Sequence, residues 1–450
     1  MAGADNLPVD QSLIATEIEA ETAVDLTAAA VEVVPPALVA QSLGEYLRGW
    51  WARVKGGDVG VLPVVLALVI VTIVFQLVSP SGRFLSPANM VNLFVQSSVF
   101  IVLAMAEGFV LLLGEIDLSV GYVGAIGGII AGNMVQPGLD LPWWFAIICG
   151  LLVTAGIGLI HGVIITRLRL PAFVVTLAGY LLWFGVMIIL LGAGGSVPIS
   201  SSVLKNQEVL YGIVNNNIEP IIAWIGLAVI VVVLGGLMWI RDNRRRRSGL
   251  VAPPVGLTVA KIVFMALAGI VVVAICNVNR GTFLVIQGVP WVLPIVLIVL
   301  GAWTLLLERS QFGLHVYAVG GNPEAARRAG ISVPNVRTWG FILCSFTGGI
   351  GGIIYLSWQG GISTNINGGQ LVLYAVAAAV IGGTSLFGGR GRPIHGLLGG
   401  LVIGAIYNGL YLLGLPIQWQ LIATGLVLLA AVTVDSLSRA NSRSGVLTRG

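Results

Sequence analysis

The chain has 450 residues, of which 57% are hydrophobic and 9% charged, whereas soluble domains carry about 25% charged residues. This composition excludes an ordinary soluble protein. The net charge is +4, and most of the basic residues flank apolar segments. Basic residues in this position are typical of the loops of membrane proteins and do not indicate nucleic-acid binding. Runs of about twenty apolar residues, each long enough to cross a bilayer as a helix, recur along the chain. We therefore predict an all-α polytopic bundle of about 10–12 transmembrane helices in an inner membrane.

The N-terminal region has two parts of different composition. Residues 1–37 are acidic and poor in aromatic residues, which predicts a disordered tail and not a secretory signal, because a signal begins with a basic region. In 38–58, apolar and aromatic residues recur at helical spacing, accompanied by Arg48 and Arg53. This pattern predicts an amphipathic helix at the cytoplasmic surface of the membrane. An extension of the first transmembrane span is the alternative.

The predicted membrane domain, 59–436, contains twelve candidate spans, and a tail follows at 437–450. The spans are predicted at 60–79, 90–113, 118–135, 143–166, 171–191, 220–240, 257–277, 289–307, 338–357, 370–386, 396–413 and 417–435. In an alternative with fewer crossings, 118–135 or 370–386 is re-entrant or broken.

The distribution of basic residues orients these spans. If the N-terminus is cytoplasmic, the outward loops hold only Arg83, Lys205 and Arg280. The inward segments then hold Arg167, Arg169, Arg241, Arg244–Arg247, Arg309, Arg327, Arg328, Arg337, Arg390, Arg392, Arg439, Arg443 and Arg449. This asymmetry predicts cytoplasmic N- and C-termini in a bacterial plasma membrane. The run Arg244–Arg247 is interpreted as an anchor at anionic lipid, with a contact to a cytoplasmic partner protein as the alternative.

Glycine is abundant, with 61 residues, about twice its usual share. Three predicted spans carry it at four-residue spacing: Gly124, Gly128 and Gly132; Gly396, Gly400 and Gly404; Gly348 and Gly352. Small residues at this spacing predict close helix–helix packing. Such smooth surfaces also allow helices to slide or rock between two states.

Ionisable residues inside the spans are scarce. Glu107 lies in the second span, and Glu115 and Asp117 lie at its inner end, without a basic partner deep in a span. This pattern argues against coupling to protons or sodium. Asp117 is predicted to cap a helix that starts at Leu118, with a role at an inner gate as the alternative. The candidate inner-gate residues are Glu115, Asp117, Ser119, Thr384 and Ser385.

Several mostly uncharged polar side chains lie within the predicted spans. Amide, hydroxyl and aromatic groups suit a neutral, hydroxyl-rich solute, and hydrogen bonding between helices is the alternative role for each of them. The candidate pathway residues are Gln96, Glu107, Asn133, Tyr180, Tyr407 and Asn408.

Residues 320–334, GGNPEAARRAGISVP, form a polar island between apolar spans. Asn322 suits a helix N-cap, Pro323 the first helical position, and Gly330 a left-handed C-terminal residue. A short cytoplasmic helix is therefore predicted. It either has a purely structural role in the loop or is bound and moved by a cytoplasmic partner. Its residues are Asn322, Pro323, Glu324, Ala325, Ala326, Arg327 and Arg328, followed by Gly330.

Other chemistry has little support in the sequence. The three cysteines lie in separate apolar spans and the three histidines are scattered, so neither a disulfide framework nor a metal site is predicted. The chain lacks GxxxxGK[ST], the phosphate-binding motif of many ATPases. We therefore expect a transport subunit without enzymatic activity and without a bound cofactor.

Four sequence blocks resemble a known family. The residues from Glu324 to Gly330 resemble the EAA loop of ATP-binding-cassette (ABC) importer permeases, which docks into the ATPase. Monosaccharide permeases of the ribose/xylose type are similar in FGLHVYAVGGNPEAARRAGISV, GEIDLSVG, RLRLPAFVVTLAG and VIGGTSLFGGRG. The resemblance extends from about residue 90 to 435 and excludes the N-terminal residues 1–58.

This chain departs from the family pattern at two positions. Glu115 stands between Gly114 and Ile116, where the family motif reads GIDLSVG, and the I-x-L-P ending of other EAA loops is missing. The extra spans 220–240 and 257–277 resemble xylose-type permeases more than the shorter ribose-type ones.

The resemblance implies a permease homodimer that passes xylose or a related monosaccharide into the cytoplasm by alternating access. It also implies a cytoplasmic ATPase that binds ATP and Mg, a periplasmic or extracellular sugar-binding protein, and a coupling loop at 308–337. The polar outward loop 193–219 is the expected docking surface for the binding protein. The alternative is an ion-coupled or facilitative secondary transporter of a small polar solute.

Overall fold

The computed structural model describes residues 42–55, 60–201, 204–250, 252–423, 425, 426, 429 and 433. The tail predicted at 1–37 and the C-terminal tail at 437–450 lie outside the described residues. The described helices are α1 Leu43–Lys55, α2 Leu62–Val78, α3 Pro87–Leu111, α4 Val120–Met134, α5 Trp143–Arg167, α6 Ala172–Leu191, α7 Lys205–Asn215, α8 Pro220–Arg247, α9 Val255–Asn277, α10 Val292–Arg309, α11 Gln311–Gly321, α12 Pro323–Arg328, α13 Val333–Gln359, α14 Gly368–Gly382 and α15 Pro393–Leu412.

Eight of these helices are long and apolar enough to cross a membrane: α3, α5, α6, α8, α9, α10, α13 and α15. The prediction of a polytopic helical protein is confirmed. Three apolar helices, α2, α4 and α14, are shorter. At 1.5 Å per residue, the 15 residues of α4 span about 22 Å, less than the hydrocarbon core of about 30 Å. Helices α4 and α14 correspond to the spans 118–135 and 370–386, for which a re-entrant or broken path was the alternative.

The chain divides into two compact units. One contains the described residues within 42–53 and 230–265, and within it Thr258 donates a hydrogen bond to Asp242 (3.0 Å) and accepts one from Arg246 (2.9 Å). The other contains the described residues within 54–229 and from 266 onward. All features described below belong to this second unit.

Helix α13 is central to the second unit, where it packs against α5, α4 and α3. Glycines let these helices approach closely. A Cβ on Gly352 of α13 would lie 1.8 Å from the carbonyl oxygen of Gly124 on α4, and one on Gly404 of α15 would lie 1.9 Å from Ser97 Oγ on α3. Since no side chain fits at such distances, the predicted close packing is confirmed.

Two short strand pairs join loops at one end of the helices. Strand β1 (Ser196–Pro198) pairs antiparallel with β4 (Gly361–Ser363), with Val197 opposite Ile362. Strands β2 (Asn217–Ile218) and β3 (Val289–Pro290) form the other antiparallel pair. The loop predicted at 193–219 is thus held by backbone hydrogen bonds to the segments that follow α13 and α9.

Candidate functional site

The polar island folds as the predicted helix, α12. The Asn322 side-chain oxygen accepts hydrogen bonds from the backbone N–H groups of Glu324 (3.1 Å) and Ala325 (3.0 Å). Pro323 occupies the first helical position, and Gly330 has a left-handed backbone with φ of +84°. These features confirm the predicted capping, because each satisfies a backbone requirement of a helix end.

The two faces of α12 differ in chemistry. Ala326 is buried against the protein, whereas the side chains of Glu324, Arg327 and Arg328 are 52%, 71% and 80% exposed. Glu324 forms ion pairs with Arg327 (2.8 Å) and Arg328 (3.3 Å). Exposed pairs of this kind are worth only about 0–1 kcal/mol. The charged face can therefore exchange these pairs for contacts with another protein at little cost.

The helix before α12 lies directly on two polar segments, which we name the first junction (112–119) and the second junction (383–391). A Cβ on Gly320 of α11 would lie 1.8 Å from the Leu112 carbonyl oxygen. The Gly389 N–H donates to the same oxygen (2.8 Å), and Tyr317 Oη donates to the Gly391 carbonyl (2.8 Å). Helix α11 therefore contacts the backbone of both junctions.

An ion pair joins the first junction to α13. Arg337 donates to the carboxylate of Glu115, whose side chain is only 10% exposed. Burial raises the pKa of Glu115 above its usual range, and the neighbouring Arg337 acts in the opposite direction. The departure of this chain from the family motif thus introduces a carboxylate that has a specific partner.

The structure corrects the predicted role of Asp117 as the cap of a helix starting at Leu118. Helix α4 begins at Val120, and the Asp117 carboxylate instead accepts hydrogen bonds from the N–H (2.9 Å) and hydroxyl (2.6 Å) of Ser119. Asp117 is fully buried, and its own N–H lies 3.5 Å from the Glu107 carboxylate. Glu107, predicted as a pathway residue, therefore lies beside the first junction.

The second junction is a closed turn that is tied to α10. The Ser385 N–H donates to the Arg390 carbonyl (2.8 Å), and Ser385 Oγ accepts from the Phe387 N–H (3.1 Å). Thr384 is buried beside it. At the end of the turn, Arg392 forms an ion pair with Glu308 (2.7 Å), and hydrogen bonding to this carboxylate raises the pKa of Arg392. The candidate gate residues thus lie in two segments that meet through backbone contacts.

The remaining pathway candidates do not form one group. Asn408 accepts a hydrogen bond from Asn89 (2.8 Å) and donates one to Gln96 (3.0 Å), within the contact between α3 and α15. Asn133 donates to the Leu190 carbonyl (3.2 Å). In each case the polar atoms join two helices, as in the alternative interpretation of these residues, and their role in a pathway stays a prediction.

The two candidate tyrosines lie among other aromatic rings. Tyr180 is edge-to-face with Tyr122, with ring centres 4.9 Å apart. Tyr407 contacts Phe100 (5.4 Å) and Trp358 (6.3 Å). Trp358 was not among the sequence candidates, although its spacing of three from Tyr355 places both rings on one side of α13. That spacing was the signal available in the sequence.

A metal site is not supported by the described part of the chain, since it contains no group of three or more His, Cys, Asp or Glu side chains that could hold an ion.

Comparison with known proteins identifies the family. Residues 89–432 match the family described as the permease component of the branched-chain amino acid transport system. The xylose transport system permease protein XylH of Haemophilus influenzae is 34% identical over 393 residues, covering 86% of this chain and 99% of that protein. This chain belongs to the ABC-importer permease family that includes the xylose and ribose permeases.

Two further relatives agree with this membership. XylH of Escherichia coli is 33% identical over 84% of this chain and 92% of its own length. The ribose import permease protein RbsC of E. coli is 29% identical over 82% of this chain and 92% of its own length. No solved structure matches the chain significantly. As an ABC-importer permease, the chain is a membrane transport subunit that works with an ATPase and a solute-binding protein.

Proposed function

We propose that the chain is the permease of a monosaccharide importer, with xylose or a related sugar as its substrate. Two of the similar permeases named above carry xylose in their names, and one carries ribose. In this proposal two copies form a homodimer, which receives the sugar from a periplasmic or extracellular binding protein. The N- and C-termini and α12 face the cytoplasm, and the loop 193–219 faces outward toward the binding protein.

The observation that carries the coupling role is the position of α12. Its charged face is exposed, while its preceding helix α11 contacts the backbone of both junctions at Gly320 and Tyr317. ATP and Mg bind in the partner ATPase, and closure of the ATPase moves α12. The contacts of α11 then shift both junctions together, which opens the pathway on the outer side. Alternating access follows because packed helices switch between discrete arrangements.

Reversing the charge of α12 tests this proposal. In proteoliposomes that contain the permease, its ATPase and the binding protein, we expect Glu324→Lys to lower sugar-stimulated ATP hydrolysis and uptake at least about tenfold, because the variant loses both ion pairs of Glu324 and leaves three adjacent positive charges on the docking face. Gly330→Pro should act similarly, because proline cannot adopt the positive φ of this position.

The matched control is Arg167→Glu, a charge reversal at the exposed last residue of α5, on the predicted cytoplasmic side. It should retain both activities, and all variants should keep the thermal midpoint of the unchanged permease within a few degrees. Wild-type hydrolysis and uptake in Glu324→Lys would refute the coupling role of α12. Absence of sugar uptake by the unchanged complex would refute the transport proposal itself.

A further inference from the structure

A cavity of about 430 Å³ opens beside strands β1 and β4 at the end of α13. Its volume lies within the range of small-molecule sites, about 300–1,000 Å³. Five residues supply polar side chains to its wall: Ser196, Tyr355, Gln359, Ser363 and Asn365. In the proposed topology, the cavity lies on the side that faces the binding protein, because α13 runs outward from the cytoplasm.

The wall of the cavity is uncharged. None of the described residues that line it is Asp, Glu, Lys, Arg or His. An ionised ligand would lose its hydration there without gaining a counterion, which is costly. Hydroxyl and amide groups can donate and accept hydrogen bonds. This composition favours a neutral ligand that carries several hydroxyl groups.

Aromatic rings continue from the cavity toward the middle of the helices. Tyr355 lines the cavity and lies 5.8 Å from Trp358, which lies 6.3 Å from Tyr407. Phe100 and Tyr374 follow, at 5.4 Å and 6.2 Å from Tyr407. Tyr355, Trp358 and Tyr407 are only partly buried, so their surfaces border open space. Ring faces provide apolar contact area, and tyrosine adds a polar group.

We propose that this cavity is a sugar-binding site of the permease, where the substrate first binds after it leaves the binding protein. Gln359 and Asn365 hydrogen-bond sugar hydroxyls, and the ring of Tyr355 contacts the C–H face of the sugar, with Trp358 beside it as the following ring. Tyr407 is the next contact along the path. This inference rests on the proposed function as a monosaccharide importer and adds the residues that recognise the substrate.

Transport stoichiometry tests the site in the reconstituted importer. We expect Gln359→Ala to lower the number of sugars imported per ATP hydrolysed about three- to tenfold, which is the effect of losing one hydrogen bond. Tyr355→Leu, which removes the ring that lines the cavity, should have an effect at least as large. The matched control is Gln418→Ala, which removes another exposed glutamine outside the cavity and should retain the unchanged ratio. An unchanged ratio in both Gln359→Ala and Tyr355→Leu would overturn the inference.

Cysteine labelling tests the same site without partner proteins. Gln359→Cys is combined with Cys149→Ser, because Cys149 is partly exposed whereas Cys276 and Cys344 are buried. Xylose should slow the reaction of Gln359→Cys with a membrane-impermeant maleimide, and a sugar phosphate should not. Equal labelling rates with and without xylose would overturn the site. Because the proposed function is judged by uptake in the unchanged complex, the two proposals can fail separately.

Discussion

At the scale of single residues, the pair formed by Glu115 and Arg337 allows a direct test. Arg337 is 30% exposed and Glu115 is 10% exposed, so removing the guanidinium leaves a carboxylate with little water to replace it. We expect Arg337→Gln to reduce the free energy of unfolding by about 1–3 kcal/mol. The measurement is the thermal unfolding midpoint of the purified permease in detergent.

The same variant should show a pH dependence with a defined sign. Burial already raises the pKa of Glu115 in the folded protein, and loss of Arg337 raises it further. A carboxyl whose pKa is higher when folded destabilises the protein as pH rises through that value. The loss of stability should therefore be larger at about pH 8 than at about pH 5. In the double variant Glu115→Gln/Arg337→Gln this difference should vanish, and its persistence there would contradict the assignment.

Asp117 shows why a residue's exact role is harder to predict than its helix. The sequence placed an acidic residue just before an apolar segment, which is a favourable position for a cap. In the structure the carboxylate binds Ser119, two residues later, and α4 starts at Val120. Asp side chains often bond to neighbouring backbone groups in this way and form turns instead of caps. The choice between the two depends on packing that a single segment does not specify.

At the scale of helices, the crossing of α4 and α13 yields the sharpest packing prediction. A Cβ on Gly352 would lie 1.8 Å from the Gly124 carbonyl oxygen, so the helices would have to separate. We expect Gly352→Ala to lower the free energy of unfolding by about 1–3 kcal/mol, the usual cost of overpacking. The readout is again the thermal midpoint in detergent.

The matched control for this prediction is Gly156→Ala on α5, since a Cβ there meets nothing within 4 Å. Alanine favours a helix over glycine by about 1 kcal/mol, so this variant should be neutral or slightly more stable. Equal midpoints for Gly352→Ala and Gly156→Ala would show that close contact at the crossing contributes nothing.

The helices themselves were largely predictable, whereas their partners were not. Apolar runs have a length set by the membrane, so eleven of the predicted spans correspond to α2–α6, α8–α10 and α13–α15. The cap of α12 was predictable as well, because it involves neighbours in sequence. Asn408 and Gln96 bond across 312 positions, and such a contact depends on which helices pack together. Tyr355 and Trp358 could not be told in the sequence from other apolar residues of a span, because their neighbours also depend on which helices pack together.

At the scale of the whole molecule, the exposed charged helix α12 and the uncharged cavity lie near opposite ends of α13, an arrangement that suits an importer. The exposed charges of α12 belong to the segment between α10 and α13. The uncharged cavity lies at the opposite end of α13, beside Gln359. Energy input and substrate recognition would thus act at the two ends of one buried helix. Since α13 also contacts α3, α4 and α5, a movement of α13 would displace these three helices as well.

The predicted orientation of the chain can be tested with two added cysteines. Phe283 is fully exposed in the segment between α9 and α10, and Arg328 is exposed on α12. In a Cys149→Ser background, a membrane-impermeant maleimide added to intact cells should label Phe283→Cys and not Arg328→Cys. After permeabilisation both should react, because neither side chain is covered within the chain. The predicted orientation rests on the basic residues of the inward loops. Labelling of Arg328→Cys in intact cells would contradict this orientation, and it would place α12 outside the cell, where a cytoplasmic ATPase cannot bind it.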